Sequence, residues 1–87
     1  MFVAYKVVVI ARCPSDGNRD TYTAEIRVVD KMVLVENILA FVADLERTEI
    51  YQENLTQEMA NEFNCEVETT GIHYGVETTC TCTPASI

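Results

Sequence analysis

Positive charge is the scarcest feature of this 87-residue chain: six Lys and Arg stand against fourteen Asp and Glu, a net charge of −8. Such a balance repels polyphosphate backbones and excludes broad, non-specific nucleic-acid binding, while leaving room for a single local contact with RNA. Its plain reading is solubility. Long apolar runs are also missing, since none approaches the roughly 20 residues a membrane helix needs. The four cysteines form no evenly spaced framework, and Met1-Phe2-Val3-Ala4-Tyr5-Lys6 offers neither a basic leader nor a small-residue cleavage site. These absences predict a cytoplasmic protein with reduced thiols and no membrane partner. Internal repeats and low-complexity linkers are lacking too, so residues 1–87 are read as one domain. A domain this small buries only about 60–65% of the surface its unfolded chain exposes, which makes for a thin core.

What is present alternates. Residues 2–12 are rich in β-formers, and residues 21–29 place Tyr22, Ala24, Ile26 and Val28 on one face and Thr23, Glu25 and Arg27 on the other. Between them, Cys13-Pro14-Ser15-Asp16-Gly17-Asn18-Arg19-Asp20 supplies the torsions of a loop, so the two strands form a hairpin. Asp30 is placed to cap a helix whose apolar residues, Leu34, Val35, Ile38, Leu39, Phe41, Val42 and Leu45, recur at spacings of three and four up to about Arg47. Asn54 with Gln57 resembles a capping box opening a second, short helix along Leu55, Met59 and Phe63. Two further β-rich segments flank Gly71-Ile72-His73-Tyr74-Gly75, whose glycines permit a turn. The expected class is α+β: ββααββ, a four-stranded antiparallel sheet with two helices on one face.

Strand one is apolar on both sides, because Val8 and Ile10 face opposite to Val7 and Val9. A strand wet on one side should not look so. A neighbouring subunit covering the second side explains it, and self-association is expected.

For chemistry, the loop brings Cys13 and Asp20 to one end of the hairpin. A thiolate can add to an electrophilic carbon while a nearby carboxylic acid delivers a proton to the developing anion. Alternation puts Cys65 with Val67, and Cys80 and Cys82 with Val76, facing the core; small buried hydrophobes are the favoured reading over a zinc site. Cys80 and Cys82 with His73 are metal-capable in type without a diagnostic spacing. Glu53 suits the start of a helix, where peptide dipoles favour negative charge. A carboxylate there could equally accept paired hydrogen bonds from a guanine-like ring.

The segment Cys13 to Asp20 resembles the Cys-Pro-x-x-Gly-x-x-Asp motif of the QueF nitrile reductases and their QueF-like branch. Ile50-Tyr51-Gln52-Glu53-Asn54-Leu55-Thr56 is similar to their Ile-Phe-His-Glu-x-Leu-Thr segment, with Gln52 in place of histidine, and its Gln-Glu-x-Leu-Thr form is similar to GTP cyclohydrolase I. Ile72-His73-Tyr74-Gly75-Val76-Glu77 resembles the last hairpin of the QueF-like branch. Together these span roughly residues 12–82.

The resemblance implies a tunnelling fold (T-fold) that assembles into an oligomeric barrel, with paired rings and active sites completed between subunits. It implies that Cys13 adds to the nitrile of 7-cyano-7-deazaguanine to give a thioimide and that Asp20 handles the proton. Glu53 would grip the ring, with Gln52, Glu36 and His73 in the substrate site and no metal. Hydride from NADPH would reduce the thioimide; ammonia would convert it to an amidine, as in archaeosine. Leu34-Val35-Glu36 matches the entrance of the reductases' cofactor-binding run, but Asn37-Ile38-Leu39-Ala40-Phe41 continues it without lysine. That departure favours the amidinotransferase branch with no cofactor, acting on the free base or on the unit within tRNA. The reductase is the first alternative, and a non-catalytic purine- or pterin-binding T-fold protein is the second.

Overall fold

A computed structural model describes residues 1–85. Its elements run β1 (Phe2–Arg12), β2 (Arg19–Val29), α1 (Val35–Leu45), α2 (Gln52–Phe63), β3 (Glu66–His73) and β4 (Val76–Cys82). The strands form one antiparallel sheet in the order β1-β2-β3-β4. Both helices lie on one face, as the alternation required. Val9, Tyr22, Ala24, Ile26, Val28 and Val67 project into the core beneath Leu55, Met59, Ala60 and Phe63 of α2 and Ile38 and Leu45 of α1. Phe41 of α1 meets Phe63 of α2 edge to face, ring centroids 5.6 Å apart.

The opposite face carries Glu25, Arg27, Glu66 and Glu68, where Arg27 bridges all three carboxylates at 2.9–3.1 Å. Those bonds raise the guanidinium above its ordinary value, Glu66 contributing most. On this face Val8 is 58% exposed, so the second apolar side of β1 is bare in the isolated chain.

Both helix starts differ from the capping residues expected. Asp30 adopts a positive φ of 54° in the bend after β2, and its carboxylate binds the N-terminal amine; α1 begins five residues later. Asn54 and Gln57 do not open α2, which starts at Gln52. The backbone is already committed there by a parallel bridge, in which Arg12 N–H donates to Thr48 and Ile50 N–H donates to the Arg12 carbonyl. At the far end of α2, Asn64 turns left-handed, and Lys31 Nζ donates to the Phe63 and Asn64 carbonyls.

The second hairpin also turns more tightly than expected. Its loop is Tyr74-Gly75 alone, with φ of 50° and 82°, the torsions of a two-residue primed turn. Gly71 is not in the turn but in β3, where a Cβ would stand 2.5 Å from Tyr22 Cδ1. Glycine at 71 makes room for the Tyr22 ring. Of the thiols expected in the core, Cys65 is buried, while Cys80 and Cys82 are half-buried.

Candidate active site

Strand parity and register assemble the site. Cys13 shares its side of the sheet with Val9 and Ala11, and its N–H donates to the Asn18 carbonyl at 2.9 Å while its carbonyl accepts from Gly17 at 2.8 Å. Asp20 pairs with Ala11, and Tyr22 pairs with Gly71. Continuing the β2–β3 register by two residues sets Asp20 against His73, and His73 Nε2 lies 2.9 Å from Asp20 Oδ2. One ligand atom from each of Cys13, Asp20 and His73 falls within 4.8 Å of the others.

The Arg12 bridge delivers the rest. By holding residues 48–50 against the end of β1, it brings Tyr51, Gln52 and Glu53 beside Cys13. A pocket of about 510 Å³ opens there, lined by Cys13, Asp20, Gln52, Glu53 and His73 among others. That size suits a small organic ligand. Cys13 is only 6% exposed, yet it forms part of the pocket wall.

The residues singled out by sequence therefore divide. Cys13, Asp20, Gln52, Glu53 and His73 converge on one cavity; Glu36 stands exposed in the first turn of α1, outside that lining. Gln52 is buried and occupied, its Nε2 donating to the Thr69 carbonyl at 3.2 Å, the Thr69 hydroxyl at 3.2 Å and the Thr78 carbonyl at 3.0 Å. Its amide nitrogen thus fastens α2 to β3 and β4. His73, matched by type with Cys80 and Cys82 in the sequence, lies instead with Cys13 and Asp20.

Four polar contacts escaped the sequence reading. Tyr22 donates to Asp20 Oδ2 at 3.4 Å, and burial, with the Asp20 charge next, raises its hydroxyl far above the ordinary phenol value. Tyr22 therefore remains a donor at any ordinary pH. Tyr74 donates to Asp16 at 3.0 Å, and Ser15 meets the Tyr51 hydroxyl at 3.1 Å, tying the cysteine loop to the β3–β4 turn and to the start of α2. Asn18 N–H donates to the same Asp16 side chain at 2.9 Å; that bond first, then Tyr74, holds its carboxyl below the usual range. An Asp two residues before an Asn in a loop was the available signal for this Asx-type turn. Nothing in the sequence pointed to the pairing of Tyr74 with a residue 58 positions away.

Sheet order, helix placement and connections together define a tunnelling fold. The chain superposes on the archaeosine synthase QueF-Like in its apo form with a TM-score of 0.89, over 99% of this chain and 95% of that one, at 16% identity. At that identity the likeness establishes the fold. No family model matches the chain, and no curated protein sequence matches it. Among the described residues no helix is long and apolar enough to cross a membrane.

Proposed function

We propose that this chain is a QueF-like enzyme that converts the nitrile of a 7-cyano-7-deazaguanine unit to an amidine. The observation that carries this reading is the meeting of Cys13, Asp20 and His73 in one pocket with Glu53. The Cys13 sulfur adds to the nitrile carbon, and the proton lost by the thiol reaches the nitrile nitrogen through Asp20, giving a thioimide. Ammonia then adds to the same carbon, the carbon–sulfur bond breaks, and the thiolate recovers a proton as the amidine leaves. His73 orients the Asp20 carboxyl, and Tyr22 donates to the same carboxyl oxygen. Glu53 accepts the N–H and exocyclic amine of the ring.

The lining of the pocket favours amidination over reduction. It contains Asp16, Asp20 and Glu53 and no Lys or Arg among the described residues, a poor setting for a cofactor carrying phosphates. Self-association through the bare side of β1 and the exposed apolar residues of α1 is part of the same reading, as is a cytoplasmic location. A free base and a unit within tRNA share the chemistry, and parallel assays of the two distinguish them.

Intact-protein mass spectrometry after incubation with 7-cyano-7-deazaguanine tests the proposal. Wild type should gain the mass of one substrate, Cys13→Ala should gain none, and NADPH should not be oxidised. An unmodified wild-type protein overturns the reading.

A further inference from the structure

We propose that Cys13, Asp20 and His73 form a three-ligand site for a thiophilic divalent cation of the zinc class, and that an ion seated there withholds the Cys13 sulfur from electrophiles. Thiolate, imidazole and carboxylate are together a donor set that zinc favours. Their ligand atoms lie within 4.8 Å of one another. A tetrahedral ion with bonds of roughly 2.0–2.3 Å needs its ligands about 3.3–3.8 Å apart. The cluster reaches that arrangement by opening the 2.9 Å His73–Asp20 contact slightly and drawing the widest separation in by about 1 Å, within the reach of side-chain rotation.

Three further features suit an ion. The ligands sit on backbone that is already fixed: Cys13 by its paired bonds within the loop, Asp20 and His73 at adjoining strand ends. Tyr22 donates to the Asp20 carboxylate, the kind of outer contact that orients a metal-bound carboxylate. A thiolate and a carboxylate neutralise a divalent charge, and a chain of net charge −8 concentrates cations around itself. Three protein ligands with a pocket in front leave the fourth position open, as in zinc sites that exchange ligands. Cys80 and Cys82, the thiols that paired with His73 by type alone, are not in the cluster.

The site itself is independent of the nitrile chemistry; only its consequence for catalysis rests on that reading. Cobalt(II) titrated into the full-length, metal-free protein should produce a thiolate-to-cobalt absorption band saturating at one ion per chain, and zinc should displace it. Cys13→Ser should abolish the band, and His73→Ala and Asp20→Asn should each weaken binding by more than about 100-fold, beyond the loss of an outer-sphere partner. Cys80→Ser should leave binding unchanged, and far-ultraviolet circular dichroism of each variant checks its fold. In a second arm, iodoacetamide labelling of Cys13 is followed by peptide mass spectrometry. Zinc at ten times its dissociation constant should slow that labelling about tenfold, and a chelator should restore it. Absence of the band, or its survival in Cys13→Ser, overturns the site; labelling unaffected by saturating zinc overturns the protection. If the band and the protection appear while metal-free protein forms no nitrile adduct, the cation site stands and the amidinotransferase reading falls.

Discussion

The two helices differ by one residue in length and lie on the same face of the same sheet, yet only α2 is fastened to it by buried polar as well as apolar side chains. It buries Leu55, Met59, Ala60 and Phe63 and, between those and the site, a polar clamp. Thr56 Oγ1 donates to the Gln52 carbonyl at 2.7 Å, so the 2.6 Å contact between Thr56 and Thr69 must take its proton from Thr69. Gln52 Nε2 then donates to Thr69 Oγ1, and the chain of bonds closes. By contrast α1 buries Ile38 and Leu45 but leaves Val35 and Leu39, with Leu34 just before it, in solvent. The difference teaches where the site can be: Glu53 stands on the helix that the sheet holds fast, and Glu36 on the one it does not. It also identifies α1 as the helix with apolar surface to spare for another chain.

The most direct way to break this contrast is truncation of matching leucines. Leu55 is 0% exposed and Leu39 is 56% exposed. Leu55→Ala should cost about 2–5 kcal/mol in urea unfolding, from lost transfer energy and a cavity that rigid neighbours cannot fill. Leu39→Ala in dilute protein should change stability by no more than about 0.5 kcal/mol. Equal losses would show that α1 is as well packed as α2. Next in size is Glu53→Ala, which removes a charged acceptor from the pocket while touching no buried contact. Loss of hydrogen bonds to a charged group, worth roughly 1.5–3 kcal/mol, predicts a decline in nitrile-adduct formation of about 10- to 150-fold with the unfolding midpoint unchanged. A variant that still forms the adduct at the wild-type rate removes Glu53 from the site.

How far the sequence carried depended on whether a feature was periodic or a matter of pairing. Alternation placed Tyr22, Ala24, Ile26 and Val28 on the buried face, and all four are buried. The loop signals of Pro14, Gly17 and Asn18 set Cys13 and Asp20 at the hairpin end, where both line the pocket. Helix starts were not legible from cap-forming residues, because Asp30 is drawn to the N-terminal amine and the Arg12 bridge fixes the chain before Asn54 is reached. Gly71 read as a turn residue because glycine signals both left-handed torsions and close approach, and only the register with Tyr22 tells which applies. For the same reason the partners of His73 were not legible, although the resemblance placed it in the substrate site: its neighbour across the sheet depends on a β2–β3 pairing that bridges both helices.

Gln52→Ala sharpens the contrast at the clamp. Removing the amide leaves the Thr78 carbonyl and the Thr69 pair short of donors, a cost of about 1–3 kcal/mol. The loss should be local. Amide exchange in β4 should accelerate more than in β1, because β4 is an edge strand that the Gln52 side chain fastens to α2. Uniform acceleration across the sheet would show that the clamp stabilises the fold without favouring its site end.

The smallest effect tests whether the loop facing α2 is latched as firmly as the helix itself. Asp16 and Tyr74 are both solvent-exposed, so their bond contributes little, but its pH dependence has a definite sign. Asp16 titrates below its ordinary 3.8, chiefly through Asn18 and then Tyr74; its contribution is present above 3.8 and fades as pH falls through the lowered value. Tyr74 titrates above its ordinary 10.0, chiefly through the hydrogen bond to Asp16; its contribution is present below 10.0 and fades as pH rises through the raised value. The stability difference between wild type and Tyr74→Phe should therefore be flat across the neutral range and shrink at both ends. Carboxyl-resolved nuclear magnetic resonance should find the Asp16 titration in Tyr74→Phe moved upward yet still below 3.8, since the larger cause, Asn18 N–H, is untouched. A titration unmoved by the substitution would mean that the β3–β4 turn does not hold the cysteine loop in solution, and that α2, through Tyr51 and Ser15, is left to position it.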